Sequence, residues 1–167
     1  SRKVELPPGR WWNFMTGRWI KGGRTLRVEP DAKATPLYGR AGQAFVTTPE
    51  IPETHHWNGR RMDLHLLLEP KSDEIIEGEL IADDGCSFGY QRGERSRIRY
   101  HALCKNGKLD LTLESIESGF GDVELGVVLY GRFSGVRVNG KTVSPNPHRY
   151  PLAGGEQRVR RIVGLMI

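Results

Sequence analysis

IRYHALCKNGKLDLTL, residues 98–113, consists of two stretches of alternating apolar and polar side chains joined by Asn106-Gly107. Successive side chains on a β-strand point to opposite faces, so each stretch has one apolar face and one polar face. Both turn residues tolerate the positive φ that a tight hairpin requires. The stretch therefore predicts an antiparallel hairpin with one face on a core and the other in water.

The same pattern recurs along the chain, and no window shows a helical stripe. Asn139-Gly140 predicts a second hairpin, and alternation over residues 61–69 and 123–129 predicts two further half-buried strands. His65 and His101 are expected on the polar faces of their strands. With 21 glycines, 10 prolines and many short strands, the sequence predicts an all-β protein with antiparallel, sandwich-type packing.

A polar, proline-bearing segment without alternation, residues 47–59, suggests a division of the chain. We predict a small β unit over residues 1–58 and a larger β-sandwich over residues 59–167. The first unit is short for an independent core, so it is expected to pack on something else. Since the sequence begins directly inside a strand-like stretch, we expect the chain to be a piece of a longer protein.

The charge distribution and the composition indicate whether the chain binds nucleic acid or a membrane. The net charge is +5, but the arginines are interleaved with acids, and the basic runs at 92–99 and 158–161 lack the aromatic pattern of an RNA-binding sheet. Solvated strand faces are predicted, with no nucleic-acid partner. No apolar run reaches the roughly 18 residues of a membrane span, which indicates a soluble protein without a membrane partner, with the cytoplasm favoured as its compartment.

The two cysteines, Cys86 and Cys104, lack the paired spacing of a zinc site. Cys104 shares a strand face with apolar residues, which favours a small buried thiol, and a bridge to Cys86 stays open. The adjacent His55 and His56 have no visible third ligand. The sequence therefore predicts neither a metal nor a cofactor.

Two adjacent carboxylates, Asp83 and Asp84, precede Gly85 in a strand that runs into a turn. Glycoside hydrolysis needs two carboxyl groups about 5 to 9.5 Å apart across the scissile bond, whereas neighbouring strand residues point to opposite faces. A solvated turn also does not raise a carboxyl pKa as a general acid requires. We predict that all three residues form a structural turn and that none is catalytic.

Aromatic side chains crowd the first unit, and Trp57 lies in the segment that joins the two units. Flat aromatic faces can stack on sugar rings, whereas large aromatics more often serve as core or interface. Packing is the favoured interpretation, with Trp57 as the best candidate for a sugar contact.

Four motifs of the first unit occur in a fixed order, and a fifth follows in the second unit. They are Leu6-Pro7-Pro8-Gly9, the stretch Trp11-Trp12-Asn13-Phe14-Met15-Thr16-Gly17, Gly22-Gly23, Pro36-Leu37-Tyr38-Gly39-Arg40-Ala41-Gly42, and the strand from Gly78 through Asp83-Asp84-Gly85 to Tyr90-Gln91-Arg92-Gly93-Glu94. This order resembles the proximal and distal C-terminal β-domains of glycoside hydrolase family 31. Gly39 departs from the family pattern, which usually has an apolar residue there.

The resemblance implies a non-catalytic C-terminal accessory region of a retaining α-glycosidase that hydrolyses terminal α-glucosides, with α-xylosides as the main variant. The family's two catalytic aspartates lie on a (β/α)8 barrel, and no residue of this chain matches them. The barrel of the same parent chain would be the partner, with an oligosaccharide as a further one. The residues expected to contact barrel or sugar are Trp12, Trp19, Arg40 and Trp57. Two alternatives are a carbohydrate-binding β-sandwich module and a small enzyme that uses its own carboxylates.

Overall fold

The computed structural model describes residues 1–29, 35–48, 59–152 and 155–167, without the side chains of 149–152 and 155–158. Apart from a 3-10 turn at Gly89–Arg92, its regular elements are strands. In chain order these are β1 (Arg2–Leu6), β2 (Arg10–Asn13), β3 (Arg18–Lys21), β4 (Arg24–Val28), β5 (Tyr38–Arg40), β6 (Gln43–Thr47), β7 (Arg61–Leu67), β8 (Glu74–Ala82), β9 (Ser96–Lys105), β10 (Lys108–Ser118), β11 (Glu124–Leu129), β12 (Gly135–Val138), β13 (Lys141–Val143), β14 (Asn146–Leu152) and β15 (Gly155–Met166). Within these ranges no helix is long and apolar enough to cross a membrane.

Two five-stranded sheets face each other. The charged sheet has the order β13-β12-β10-β9-β8, and the covered sheet has the order β14-β15-β11-β7-β6. Most neighbours are antiparallel, but β12 runs parallel to β10 and β11 runs parallel to β7. The predicted all-β sandwich is confirmed, with sheets that are mixed rather than purely antiparallel.

Both predicted hairpins are confirmed. β9 pairs with β10 across Asn106-Gly107, and β12 pairs with β13 across Asn139-Gly140. Both asparagines have positive φ, 49° for Asn106 and 48° for Asn139. The Asn139 side chain also binds the neighbouring strand: its Oδ1 accepts a 2.8 Å hydrogen bond from the Leu113 amide. Local turn chemistry thus fixes the register of the charged sheet.

The core lies between the two sheets and is built from the apolar faces that alternation predicted. Leu111 of β10, Leu64 of β7 and Leu125 of β11 are completely buried there. Cys104 joins the same core as a free thiol, and Cys86 is free and exposed, so the chain has no disulfide between them. Burial raises the pKa of the Cys104 thiol, which makes it a packing residue and a poor nucleophile.

The expectation of a wet outer face is wrong for β7 and β11. His65, predicted on the polar face of its strand, is 0% exposed, as are Val128 of β11 and Tyr130, which directly follows that strand. The reason is a third layer: β2, β3 and β5 form a small sheet whose aromatic side chains cover these strands. A strand covered on both faces buries its polar positions as well, provided that they find partners.

The first unit joins the sandwich through strand pairing as well as through its side chains. β6, which precedes the predicted boundary at residue 58, forms the edge of the covered sheet and pairs with β7, which follows it. Gly39 of β5 lies against this junction, where a Cβ atom would come within 2.5 Å of the Leu67 side chain and 3.0 Å of Phe14. The departure from the family pattern at Gly39 therefore has a steric reason: the two units approach closely there.

Candidate functional site

The turn between β2 and β3 is made by the sequence Asn13-Phe14-Met15-Thr16-Gly17. The Asn13 carboxamide oxygen accepts hydrogen bonds from the amides of Met15 at 2.9 Å and Thr16 at 3.3 Å, an arrangement typical of asparagine in turns. Gly17 closes the turn with φ of 63°, where L side chains are strained. This local geometry directs Phe14, and Trp12 two residues before it, toward the covered sheet.

Trp12 and Phe14 are the centre of an aromatic cluster on that sheet, and they are 4% and 3% exposed. The Trp12 ring meets those of Trp19 and Tyr130 edge to face, with centroids 5.4 and 5.2 Å apart. Phe14 meets Tyr130 at 5.6 Å in the same manner. Edge-to-face pairs are the preferred arrangement of aromatic rings, so the cluster fastens the small sheet onto the sandwich.

A buried polar network lies beneath the aromatic cluster. His65 places Nδ1 2.7 Å from the Tyr130 hydroxyl and Nε2 2.9 Å from the Thr47 hydroxyl, and Phe45 stacks on its ring. Burial lowers the pKa of His65 to about 4, so the ring is neutral at pH 7. A neutral imidazole has one donor and one acceptor nitrogen. The hydroxyls of Tyr130 and Thr47 can each either donate a hydrogen bond to a ring nitrogen or accept one from it. His65 is therefore a satisfied structural residue rather than a general base.

Next to the cluster, an open cleft of about 640 Å³ separates the β2–β3 turn from β14, β15 and the loop after β11. Trp19 forms part of its wall, and its indole nitrogen donates a 2.8 Å hydrogen bond to the Tyr130 carbonyl. The remaining lining is Trp12, Gly17, Arg18, Gly131, Arg132, Pro147, His148, Val159 and Arg160. Its volume is within the range of small-molecule sites, and its aromatic wall is held in place from both sides.

Asp83, Asp84 and Gly85 form a turn directly after β8, in which the two aspartates are half-buried and Gly85 is exposed. The Gly85 amide donates to Asp83 at 2.8 Å, and the amides of Cys86 and Ser87 donate to Asp84 at 3.1 and 3.0 Å. Hydrogen bonds from Ser87 and then Cys86 lower the pKa of Asp84 to about 2. A general acid needs a raised carboxyl pKa, so this environment favours the structural role that we predicted for the turn.

The segment that follows the turn packs closely against a glycine. A Cβ atom at Gly119 would lie 1.9 Å from the Gly93 carbonyl oxygen, a backbone atom that cannot move aside cheaply. Gly119→Ala should therefore lower the free energy of unfolding by about 1–3 kcal/mol, measured by urea denaturation. Gly135→Ala is the matched control, because its Cβ would meet only Lys108 at 3.8 Å. Equal stability of the two variants would contradict the close approach.

The arginine-rich strands of the charged sheet are neutralised by their neighbours. Glu79 binds Arg97 at 2.5 Å and Arg99 at 3.0 Å, and Glu117 binds Arg95 at 2.7 Å and Arg97 at 2.8 Å. These guanidinium groups hold the pKa of Glu117 at about 2 and lower that of Glu79. A face whose arginines are already occupied offers little to a phosphate backbone.

The predicted contact residues have different environments. Trp12 is buried, Trp19 is half-buried along the cleft and Arg40 is exposed on β5. Trp57, together with His55 and His56, lies outside the described residues. A sugar or barrel contact at these positions stays a prediction. In the part of the chain that the structure describes, no three His, Cys, Asp or Glu side chains are grouped as a metal site.

Sequence reasoning missed Tyr130, which contributes to both the cluster and the His65 network. A signal was present: Val127-Val128-Leu129-Tyr130 is continuously apolar, as expected of a strand buried on both faces. The three arginines of the cleft were missed as well. Arg18, Arg132 and Arg160 come from distant parts of the chain, so no local motif joins them.

No family model matches the chain. A curated protein of Arabidopsis thaliana, a probable glucan 1,3-alpha-glucosidase, is 28% identical over 100 residues, which are 56% of this chain and 10% of that protein. Among solved structures, the family 31 alpha-xylosidase from Xanthomonas citri aligns with a TM-score of 0.60 at 22% identity, over 100% of this chain and 17% of its own. The family 31 dextranase from Flavobacterium johnsoniae aligns with a TM-score of 0.66 at 16% identity, over 97% and 22%.

The glucosidase II alpha subunit is similar too, with a TM-score of 0.60 at 20% identity over 97% of this chain and 19% of its own. These likenesses show a shared fold. The resemblance to family 31 inferred from the ordered motifs is confirmed, because the xylosidase and the dextranase are family 31 enzymes and the other two relatives are glucosidases. The chain spans about a tenth of the curated relative and about a fifth of each solved one.

Proposed function

We propose that this chain, with the ordered motifs and the fold of the glycoside hydrolase family 31 C-terminal region, is the non-catalytic accessory part of a retaining α-glycosidase. The observation that carries the proposal is the coverage: nearly the whole chain matches only 17–22% of each solved relative. The missing partner is the catalytic (β/α)8 barrel of the same parent chain. The parent reaction is hydrolysis of a terminal α-glucoside, with an α-xyloside as the variant.

The two-stranded ribbon of β1 and β4 is a second observation in favour of a partner that covers this part of the chain. Among the strands that the structure describes, β1 and β4 pair only with each other. Leu6 of β1 is buried, whereas the ribbon's other apolar residues, Val4, Leu26 and Val28, are half-buried and belong to neither core cluster. An isolated two-stranded ribbon is marginally stable in water. We infer that the barrel covers this ribbon in the parent enzyme.

The test uses the purified chain and the separately produced catalytic segment of its parent. The chain alone should not hydrolyse a chromogenic α-glucoside or α-xyloside, and it should bind the catalytic segment as a 1:1 complex in size-exclusion chromatography. Leu26→Asp within the ribbon should weaken that complex, while Ile75→Asp, at an exposed position of β8, should not. Turnover by the chain alone that disappears in Asp83→Asn would contradict the proposal.

The second candidate is a carbohydrate-binding module, and the observation in its favour is the half-buried Trp19 along an open cleft. Neutral oligosaccharides would stack on the indole face. Titration with maltose, followed by tryptophan fluorescence, tests this candidate. The absence of any change at millimolar maltose would exclude it.

A further inference from the structure

The cleft beside Trp19 carries positive charge that none of the described side chains neutralises. Arg18 and Arg132 are exposed and Arg160 is half-buried, and all three line the cleft. Among the side chains that the structure describes, no carboxylate forms an ion pair with any of them. The contrast with the charged sheet is clear, because Arg95, Arg97 and Arg99 there are each paired with a glutamate.

Two of the three arginines lie where two clefts meet. Arg132 and Arg160 also line a neighbouring cleft of about 290 Å³, between the loop after β11 and the residues that follow β13. Neither lining includes an aspartate or a glutamate among the described side chains. Guanidinium groups bind phosphate and carboxylate through planar pairs of hydrogen bonds. The shared rim is therefore a place where an anionic group would be held.

Trp19 gives the same cleft an aromatic wall that is held in place by the protein. Trp19 is fixed by its hydrogen bond to the Tyr130 carbonyl and by its edge contact with Trp12, so a ring placed against it meets a surface that needs no ordering on binding. The cleft thus combines an aromatic wall with a cationic rim that no described carboxylate compensates. This is the arrangement that suits a small molecule with a ring at one end and an anionic group at the other.

We propose that this cleft binds a sugar that bears a phosphate or a carboxylate, with Arg132 and Arg160 on the anionic group and Trp19 against the ring. The proposal goes beyond the accessory function, because it concerns a ligand of this chain's own residues and does not depend on what the parent barrel hydrolyses. A loss of barrel association and a loss of ligand binding are separate measurements, so either proposal can fail alone.

The test is titration of the full 167-residue chain with glucose 6-phosphate, glucuronate, glucose and inorganic phosphate, followed by tryptophan fluorescence and calorimetry. At least one of the two acidic sugars should bind about tenfold or more tightly than both glucose and phosphate. Arg160→Gln and Arg132→Gln should each weaken that binding about tenfold or more, since each removes a charge-assisted hydrogen bond. Binding should also weaken as salt is added.

Arg2→Gln is the matched control, because it removes the same charge from an exposed position of β1 that does not line the cleft. It should leave the affinity unchanged, and thermal unfolding checks that each variant is folded. Three results would overturn the proposal: no binding of either acidic sugar at millimolar concentration, equal binding of inorganic phosphate, or affinity that survives both Arg132→Gln and Arg160→Gln.

Discussion

Trp12→Ala should lower the free energy of unfolding by about 3–5 kcal/mol, the range for removing a buried aromatic side chain and leaving a cavity. Trp12 is 4% exposed and meets both Trp19 and Tyr130 edge to face. Its loss removes the central contact between the small sheet and the covered sheet. Urea denaturation followed by circular dichroism measures the change, with the slope of the transition reporting any loss of compactness.

The neighbouring Trp11→Ala is a matched control for Trp12→Ala. Trp11 lies on the opposite face of β2, is half-buried and donates a 2.9 Å hydrogen bond to the Pro7 carbonyl. Its replacement should cost about 1–2 kcal/mol, because it loses one hydrogen bond and partial packing. If both variants lost the same stability, the aromatic cluster would not be what fastens the first unit to the sandwich.

Lowering the pH from 7 to 5 should remove about 2 kcal/mol of stability through His65 alone. The folded-state pKa of His65 is lowered to about 4 by burial, while an unfolded histidine titrates near 6.5. The unfolded chain therefore takes up a proton that the folded chain refuses, and stability falls as the pH drops through this interval. The full effect, about 3 kcal/mol, is reached once the pH has fallen below the folded-state pKa.

Charged groups near His65 partly offset each other: Asp63 raises its pKa and Arg161 lowers it. The carboxylates with lowered pKa values are Glu79, Asp84 and Glu117, the last two at about 2. They lose their stabilising charge at lower pH, so they contribute little to the change between pH 7 and 5. His65→Gln should be less stable at pH 7 and should lack the slope.

His101→Gln replaces an exposed histidine of β9 and should keep the slope of the parent protein. Urea denaturation at each pH measures all three proteins. A slope that persists in His65→Gln would show that another group is responsible.

Much of the sandwich could be predicted because its signals are local. Alternation in β9 and β10 and the Asn106-Gly107 turn specify pairing and register within a few residues. The third layer could not be predicted in this way, because its contacts join residues far apart in the chain. Trp19 binds Tyr130 across 111 positions, and no periodicity in either segment indicates the other.

The error at His65 has the same origin. Arg61, Asp63 and His65 form a polar face by pattern, yet Asp63 accepts a 2.7 Å hydrogen bond from Arg161, 98 residues away. Buried polar residues are stable when their partners are supplied, and those partners lie on other strands. The cleft beside Trp19 could not be predicted either, because Arg18, Arg132 and Arg160 come together only in the folded chain. In contrast, the turn at Asp83-Asp84-Gly85 was readable because its hydrogen bonds span two or three residues.

The complete natural reading frame that encodes this chain tests the accessory role most directly. The account predicts that the frame continues upstream of Ser1 through a segment of roughly 250 residues or more, the size of a (β/α)8 barrel, with alternating strand and helix patterns. That segment should contain the family's two catalytic aspartates, which no residue of this chain matches. A start codon immediately before Ser1, or an upstream segment too short for a barrel, would contradict it.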